Sequence, residues 1–341
     1  MPSTAAKREK PAAPIRLKRT DAAALTIRRC KAGKGFSYRD ADGKPVRDTE
    51  TLARIRSLAI PPAYVDVRIA ADPRSHLQAV GHDEAGRVQH RYHPEWDKVR
   101  ERKKLKRLSQ LIAALPKLRT AVARDLKDRS LTREKALACA AAIIDRCHIR
   151  VGNETYAKTN GSHGASTLLK RHVAIKGSRI ELAFRGKSRK DVSCATEDQT
   201  LARALTRIMT LPGDRLLQYR RDDGTVAQLN ASEINAYLKR VSGLAISSKD
   251  LRMLAANAAA AELLLASEVI ASETGRKRQL ADIMRAISER LVNTPAVVRK
   301  SYVHAIVVSS YASGKLKRCY EKARARAGCS RIERALGLVA A

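Results

Sequence analysis

The chain has 341 residues and carries 68 Lys plus Arg against 34 Asp plus Glu, a formal net charge of +34. Its 44% hydrophobic content supplies a sizeable core, which excludes a wholly disordered basic tail and predicts a folded protein of about two domains. The charge calls for a polyanion, and nucleic acid comes before a membrane: lysines and arginines that meet phosphates release condensed counterions, and no stretch approaches the roughly 18–20 consecutive apolar residues of a spanning helix.

Residues 1–20, MPSTAAKREKPAAPIRLKRT, lack an apolar core segment and read as a flexible basic arm rather than a targeting sequence, so the protein is expected in the cytoplasm. Residues 21–98 are broken by turn residues such as those at 41–44 and the Pro61, Pro62 pair. Between them lie strand-like runs at 64–69, 77–80 and 88–92 and a short helix at 52–58, which together predict a small β-rich domain. From residue 99 to 341 helical patterns dominate. The run RERKKLKR at 100–107 opens a helix continuing through Leu108, Leu111, Ile112 and Leu115, and is expected as a solvated face or a phosphate contact. A second helix spans 131–147, with Ser130 as its cap and Leu137, Ala141, Ile144 and His148 on one stripe. The period then switches to two around turns at 177–178 and 186–188, predicting a β-hairpin at about 172–195. Helix returns from about 197, most clearly at 255–265, and Pro295 marks a boundary. The class is α+β: a β-rich N-terminal domain, then a mainly helical domain with a small inserted antiparallel sheet.

Aromatic residues make up only 4% of the chain, too few to hold single strands by stacking, so the expected partner is the backbone of double-stranded nucleic acid. The six cysteines form no CxxC pair, which disfavours zinc fingers and a disulfide scaffold alike. The acidic pairs Asp222, Asp223 and Asp83, Glu84 sit in turn contexts where Asp serves the turn, and no GxxxxGK[ST] loop is present, so neither a metal nor a nucleotide cofactor is expected. A phosphodiester can also be cut without metal, by a side-chain nucleophile surrounded by cations. The residues for this stand in Arg150-Val151-Gly152-Asn153-Glu154-Thr155-Tyr156, in Lys187 after Gly186, in Arg252 of Ser248-Lys249-Asp250-Leu251-Arg252, and in the run from Asn293, Thr294 and Pro295 to Tyr302.

These motifs, in this order, resemble the type IB DNA topoisomerases in the small form found in bacteria and poxviruses. The N-terminal stretches Ile60-Pro61-Pro62-Ala63-Tyr64, His76-Leu77-Gln78-Ala79-Val80-Gly81 and Gln89-His90-Arg91-Tyr92-His93-Pro94 are similar to that family's amino-terminal signature. The resemblance implies a C-shaped clamp around duplex DNA and relaxation of supercoils by a monomer without ATP or metal. Tyr302 matches the nucleophile that joins a DNA 3′ phosphate, Arg150 and Arg252 the arginines on that phosphate, and Lys187 the general acid for the leaving oxygen. Lys190 is the second candidate for that acid and a DNA contact. Asn293 stands where poxviral members have a histidine. Gln89, His90, Tyr92, Asn153 and Tyr156 are candidate DNA contacts, and the location implied is the nucleoid.

Two alternatives stand beside this reading. A tyrosine recombinase shares the chemistry, but its usual histidines around the second arginine are replaced here by Lys249 and Met253. A non-catalytic basic DNA-binding protein would fit the departures at Asn293 and after Arg252.

Overall fold

Ile27–Ala32 (β1) and Gly35–Arg39 (β2) form a hairpin that hydropathy does not announce, because Ile27 alone among the six residues of β1 is buried. The computed structural model describes residues 16–268 and 270–341, so residues 1–15 of the expected basic arm lie outside the described residues. The backbone of Lys18 hydrogen-bonds to Arg74 and His76. Thr49–Ser57 (α1), Val65–Ile69 (β3), Leu77–His82 (β4) and Val88–Tyr92 (β5) follow, and the five strands form an antiparallel sheet in the order β2-β1-β3-β4-β5. Asp48 caps α1 by accepting from Thr51 N, and Ile55 of that helix joins Ile27, Val67, Ile69 and Ala79 in a small core. Arg29 donates to the carbonyls of Pro61 and Tyr64, fixing the loop that carries the proline pair.

The chain divides between Arg102 and Lys103 into two compact units. Trp96–Leu126 (α2) buries Leu108, Leu111, Ile112, Leu115, Leu118 and Val122 at helical spacing. Arg133–Cys147 (α3) is capped by Thr132 rather than Ser130, since Thr132 Oγ1 accepts from Lys135 N while Ser130 serves the turn at Asp128. Every residue of α3 from 135 to 144 is buried, so the helix is enclosed on all sides and not along one stripe. His148 is its C-cap, at φ +52°. Glu154–Asn160 (α4) precedes the antiparallel sheet of Val173–Lys176 (β6), Arg179–Arg185 (β7) and Asp191–Glu197 (β8), ordered β6-β7-β8.

After Gln199–Met209 (α5) the sequence reading missed a hairpin of two three-residue strands, Gln218–Arg220 (β9) and Val226–Gln228 (β10), too short to show a period of two. Asp223 does serve the turn between them, accepting from Thr225 N. The remaining helices are Ala231–Ser242 (α6), Ser248–Leu265 (α7), Glu273–Arg290 (α8), Pro295–Val297 (α9), Ala305–Ala312 (α10), Lys315–Lys322 (α11) and Arg331–Ala340 (α12). Small side chains on α7, Ala256 and Ala259 to Ala261, are buried in the same large core as α3. Among the described residues no helix is long and apolar enough to cross a membrane.

Two arginines of α2 tie this helical unit together. Arg107, part of the basic run at 100–107, is neither simply solvated nor free for phosphate: its Nε lies 2.7 Å from Asp250 Oδ1 and its Nη2 donates to Ala245 O. It braces the start of α7, where Asp250 also closes a capping box with Ser247. Arg119 of α2 donates in forked fashion to Asp145 of α3 and Glu333 of α12, and Leu316, Ile332, Leu336 and Val339 enter the main core. The C-terminal segment thus packs on the helical unit, while Lys317, Arg318, Lys322, Arg324 and Arg326 stay exposed.

The cysteines correct the expectation from spacing. Cys147 at the end of α3 and Cys194 on β8 form a disulfide across 47 residues, a pairing of distant positions that no local motif signals. Closing a loop of that length removes about 4 kcal/mol of unfolded-state entropy in the chain-entropy model. Cys194→Ser is therefore expected to lower the unfolding free energy by about 2–4 kcal/mol, read as a lower urea midpoint. An unchanged midpoint would contradict a formed bridge.

Candidate active site

Three turns of backbone, together with helix α7, which carries Arg252, bring the candidate residues to one cavity of the helical unit. At the end of α3 the chain turns through His148, buries Ile149 and presents Arg150. The returning segment locks this corner, with Ala165 N donating to Arg150 O at 2.9 Å and Ser166 N to Val151 O at 2.7 Å. Gly164 is required there, because a Cβ would lie 2.6 Å from both Arg150 O and Gly152 N.

The second turn, between β7 and β8, carries Lys187 and Lys190. Ser188 and Arg189 both take left-handed backbone, at φ +61° and +57°, so the tip is tightly curled by residues that seldom adopt it. The third follows α8: Val292, a β-branched residue at φ +49°, reverses the chain ahead of Asn293. Thr294, not Asn293, then caps α9, and α9 runs into a π-helical turn over Val298–Tyr302 closed by Val303 N donating to Val298 O. Such turns are uncommon and recur at functional sites.

The cavity, of about 790 Å³, is lined by Arg150, Asn153, Tyr156, Lys187, Lys190, Arg252, Asn293 and Tyr302, among others. Arg252 is 4% exposed, donates to Leu291 O at 2.9 Å, and lies 5.7 Å above the Tyr302 ring. Arg150 Nη2 donates to Asn293 Oδ1, and Lys190 Nζ donates to Asn293 O at 3.3 Å. Arg252 Nε and Asn293 Nδ2 are buried without a hydrogen-bond partner, so both retain unspent donors. Burial pushes the Tyr302 phenol up, but the Arg252 and Arg150 charges outweigh it and bring it below its ordinary value. Burial likewise pulls the Arg252 guanidinium down, partly offset by Tyr302. A tyrosine poised to ionise beside forked donors can attack a phosphorus and have the added charge stabilised.

Sequence reasoning brought five catalytic candidates, Arg150, Lys187, Arg252, Asn293 and Tyr302, and three DNA-contact candidates, Asn153, Tyr156 and Lys190, to this one cavity. Asn153 spends its Oδ1 on capping α4 through Tyr156 N, whereas Tyr156 is 58% exposed. Gln89, His90 and Tyr92 belong to the N-terminal unit. There Gln89 Nε2 donates to Asp83 Oδ2, and Tyr92 stacks between His90 and Trp96.

The sequence reading did not nominate three residues. Lys249 lines the cavity one turn from Arg252, while Met253 does not. Asn257, wholly buried on α7, donates to Tyr302 O at 2.9 Å and accepts from His304 N, so it holds the backbone on both sides of Val303. A polar residue in an alanine-rich stretch was its only signal. His163 also lines the cavity.

Known proteins resemble this chain over most of its length. The family described as eukaryotic DNA topoisomerase I, catalytic core, matches residues 93–327, and that described as bacterial DNA topoisomerase IB, N-terminal domain, matches residues 35–83. A DNA topoisomerase 1B from Acanthamoeba polyphaga mimivirus is 32% identical over 292 residues, covering 84% of this chain and 87% of that protein. The chain belongs to the type IB DNA topoisomerases.

Proposed function

We propose that this enzyme relaxes supercoiled double-stranded DNA by cutting one strand through a 3′-phosphotyrosyl link, letting the duplex rotate, and resealing it. The observation that carries this reading is the gathering of Tyr302, Arg150, Arg252, Asn293 and Lys187 in one cavity, with Arg252 5.7 Å from the Tyr302 ring and with Arg252 Nε and Asn293 Nδ2 left without partners. Tyr302 loses its proton to solvent and its Oη attacks phosphorus. As the P–Oη bond forms, the P–O5′ bond breaks and Lys187 gives a proton to the departing O5′. Arg150 and Arg252 hold the non-bridging oxygens, aided by the Asn293 amide, which donates without carrying charge.

The phosphotyrosyl bond conserves the energy of the phosphodiester, so resealing reverses the steps and requires no nucleotide. Cations rather than carboxylates line the cavity, and the charge stabilisation that metal ions supply elsewhere falls here to side chains. We assign Tyr156, Lys190, Gln89, His90 and Tyr92 to DNA contact, read the enzyme as a monomer, and place it on nucleoid DNA.

The test is relaxation of supercoiled plasmid in EDTA with no nucleotide present. Complete relaxation is expected. Loss of relaxation on chelation, or a requirement for ATP, would contradict the mechanism. Many phosphate contacts also predict that high salt abolishes binding.

A further inference from the structure

His163 stands between the Arg150 corner and the hairpin that carries Lys187. It lines the main cavity and also a recess of about 30 Å³ behind it, whose walls include Arg150, Gly186 and Lys187. Its backbone N–H donates to Arg185 O at 2.7 Å, two residues before Lys187, and the next residue is the Gly164 that packs on Arg150. The residue is thus fixed to both walls.

Its ring is fixed as well. Nδ1 lies 2.7 Å from Thr167 O, and a carbonyl can only accept, so Nδ1 carries the hydrogen and Nε2 of the neutral ring keeps its lone pair. The ring packs edge-on against His172 at 4.7 Å. His172 accepts from Leu169 N through its own Nδ1, and burial, with His163 and Arg171 beside it, pushes its pKa down to about 4. It therefore adds no charge at neutral pH.

The charged side chains that share these two cavities with His163 are Arg150, Lys187, Lys190, Lys249, Arg252 and Arg290, all cations. No carboxylate lines either cavity among the described residues. Among those residues no hydrogen bond engages the Lys187 ammonium, and two imidazoles line the recess with it: His148, whose Nδ1 is buried without a partner, and His163, which of the two also lines the main cavity.

Resting on the mechanism proposed above, we infer that His163 is a positioning residue for the general acid: when DNA fills the cavity its Nε2 accepts a hydrogen bond from Lys187, one the free enzyme does not make, and holds the ammonium beside Arg150, where the leaving O5′ departs. His163 does not itself touch the reacting atoms. It reduces the range of positions open to a long, exposed lysine on a curled turn.

The test uses single-turnover cleavage of a duplex whose scissile bond carries either oxygen or sulfur at the 5′ bridging position. A thiolate leaves without a proton, because a thiol titrates near pH 8.5 and an alcohol far above it. Lys187→Ala should be slow on oxygen by about 10²-fold or more and close to wild type on sulfur. His163→Phe, which keeps the ring shape and removes both nitrogens, should be slow on oxygen by about tenfold and recover on sulfur. His163→Gln, which keeps a donor for Thr167 O and an acceptor for Lys187, should regain most of the oxygen rate. Equal loss on both substrates for His163→Phe would make the residue merely structural, and no loss at all would remove any role; either overturns the inference. Failure of sulfur to rescue Lys187→Ala would instead overturn the assignment of Lys187, so the two failures are distinguishable.

Discussion

Tyr302→Phe is expected to lower strand cleavage by at least about 10⁴-fold and to leave no protein attached to DNA. The variant removes one oxygen and keeps everything else that places the residue. The ring remains under Arg252, the carbonyl remains bonded to Asn257, and the π-helical turn needs only backbone groups. The melting temperature should stay within about 2 °C of wild type and non-covalent duplex affinity within about threefold, so the loss falls on the chemical step. A Phe variant that still relaxes plasmid would move the nucleophile elsewhere.

Arg252→Ala has the next largest expected effect, about 10³-fold on cleavage, the scale seen when one preorganised donor to a developing anion is removed. Two consequences come from one guanidinium. The phosphate loses a forked donor, and the Tyr302 phenol loses the stronger of the two arginine charges that counter its burial.

The second consequence has a definite sign. A phenol below its ordinary pKa of about 10 is more ionised at any given pH, so the wild-type cleavage rate rises with pH and levels off below 10. In Arg252→Ala the limb should move to higher pH, because desolvation acts with less opposition. Arg252→Lys should restore little, since an ammonium offers a point charge without the fork that spans Leu291 O and a phosphate oxygen. Cleavage within about threefold of wild type, or a limb that does not move, would contradict this role for Arg252.

The candidate cavity was legible in the sequence because its residues sit in short local settings: a glycine beside Arg150, a turn around Lys187, a proline after Asn293. The order of those settings carried the family, and the family carried the roles. What stayed hidden depends on contacts between distant segments. Cys147 and Cys194 meet only because β8 returns to the end of α3. Asn257 reads as a polar interruption in an alanine-rich helix until the fold brings the Tyr302 and His304 backbone to its amide.

Arg107 follows the same pattern. Within RERKKLKR it is one cation of six, and nothing local marks it as the partner of Asp250, 143 residues later. The β1–β2 hairpin was missed for a different reason, since a strand reading Ile-Arg-Arg-Cys-Lys-Ala has one buried apolar residue and no alternation to detect. Short strands β9 and β10 fail the same test.

The central claim is that Tyr302 becomes joined to a DNA 3′ phosphate, and one measurement reads it directly. Cleavage of a labelled duplex in EDTA is stopped with SDS, the covalent complex is digested with trypsin and nuclease, and the nucleotide-bearing peptide is sequenced by mass spectrometry. The peptide 301–315 holds two tyrosines, which makes the comparison internal: Tyr302 faces the cavity, while the Tyr311 hydroxyl is spent on Ser267 O at 3.0 Å. The account predicts a 3′ nucleotide on Tyr302 and a free 5′ hydroxyl on the other DNA end. An adduct on Tyr311, attachment through a 5′ phosphate, or no adduct from an enzyme that relaxes plasmid would contradict it.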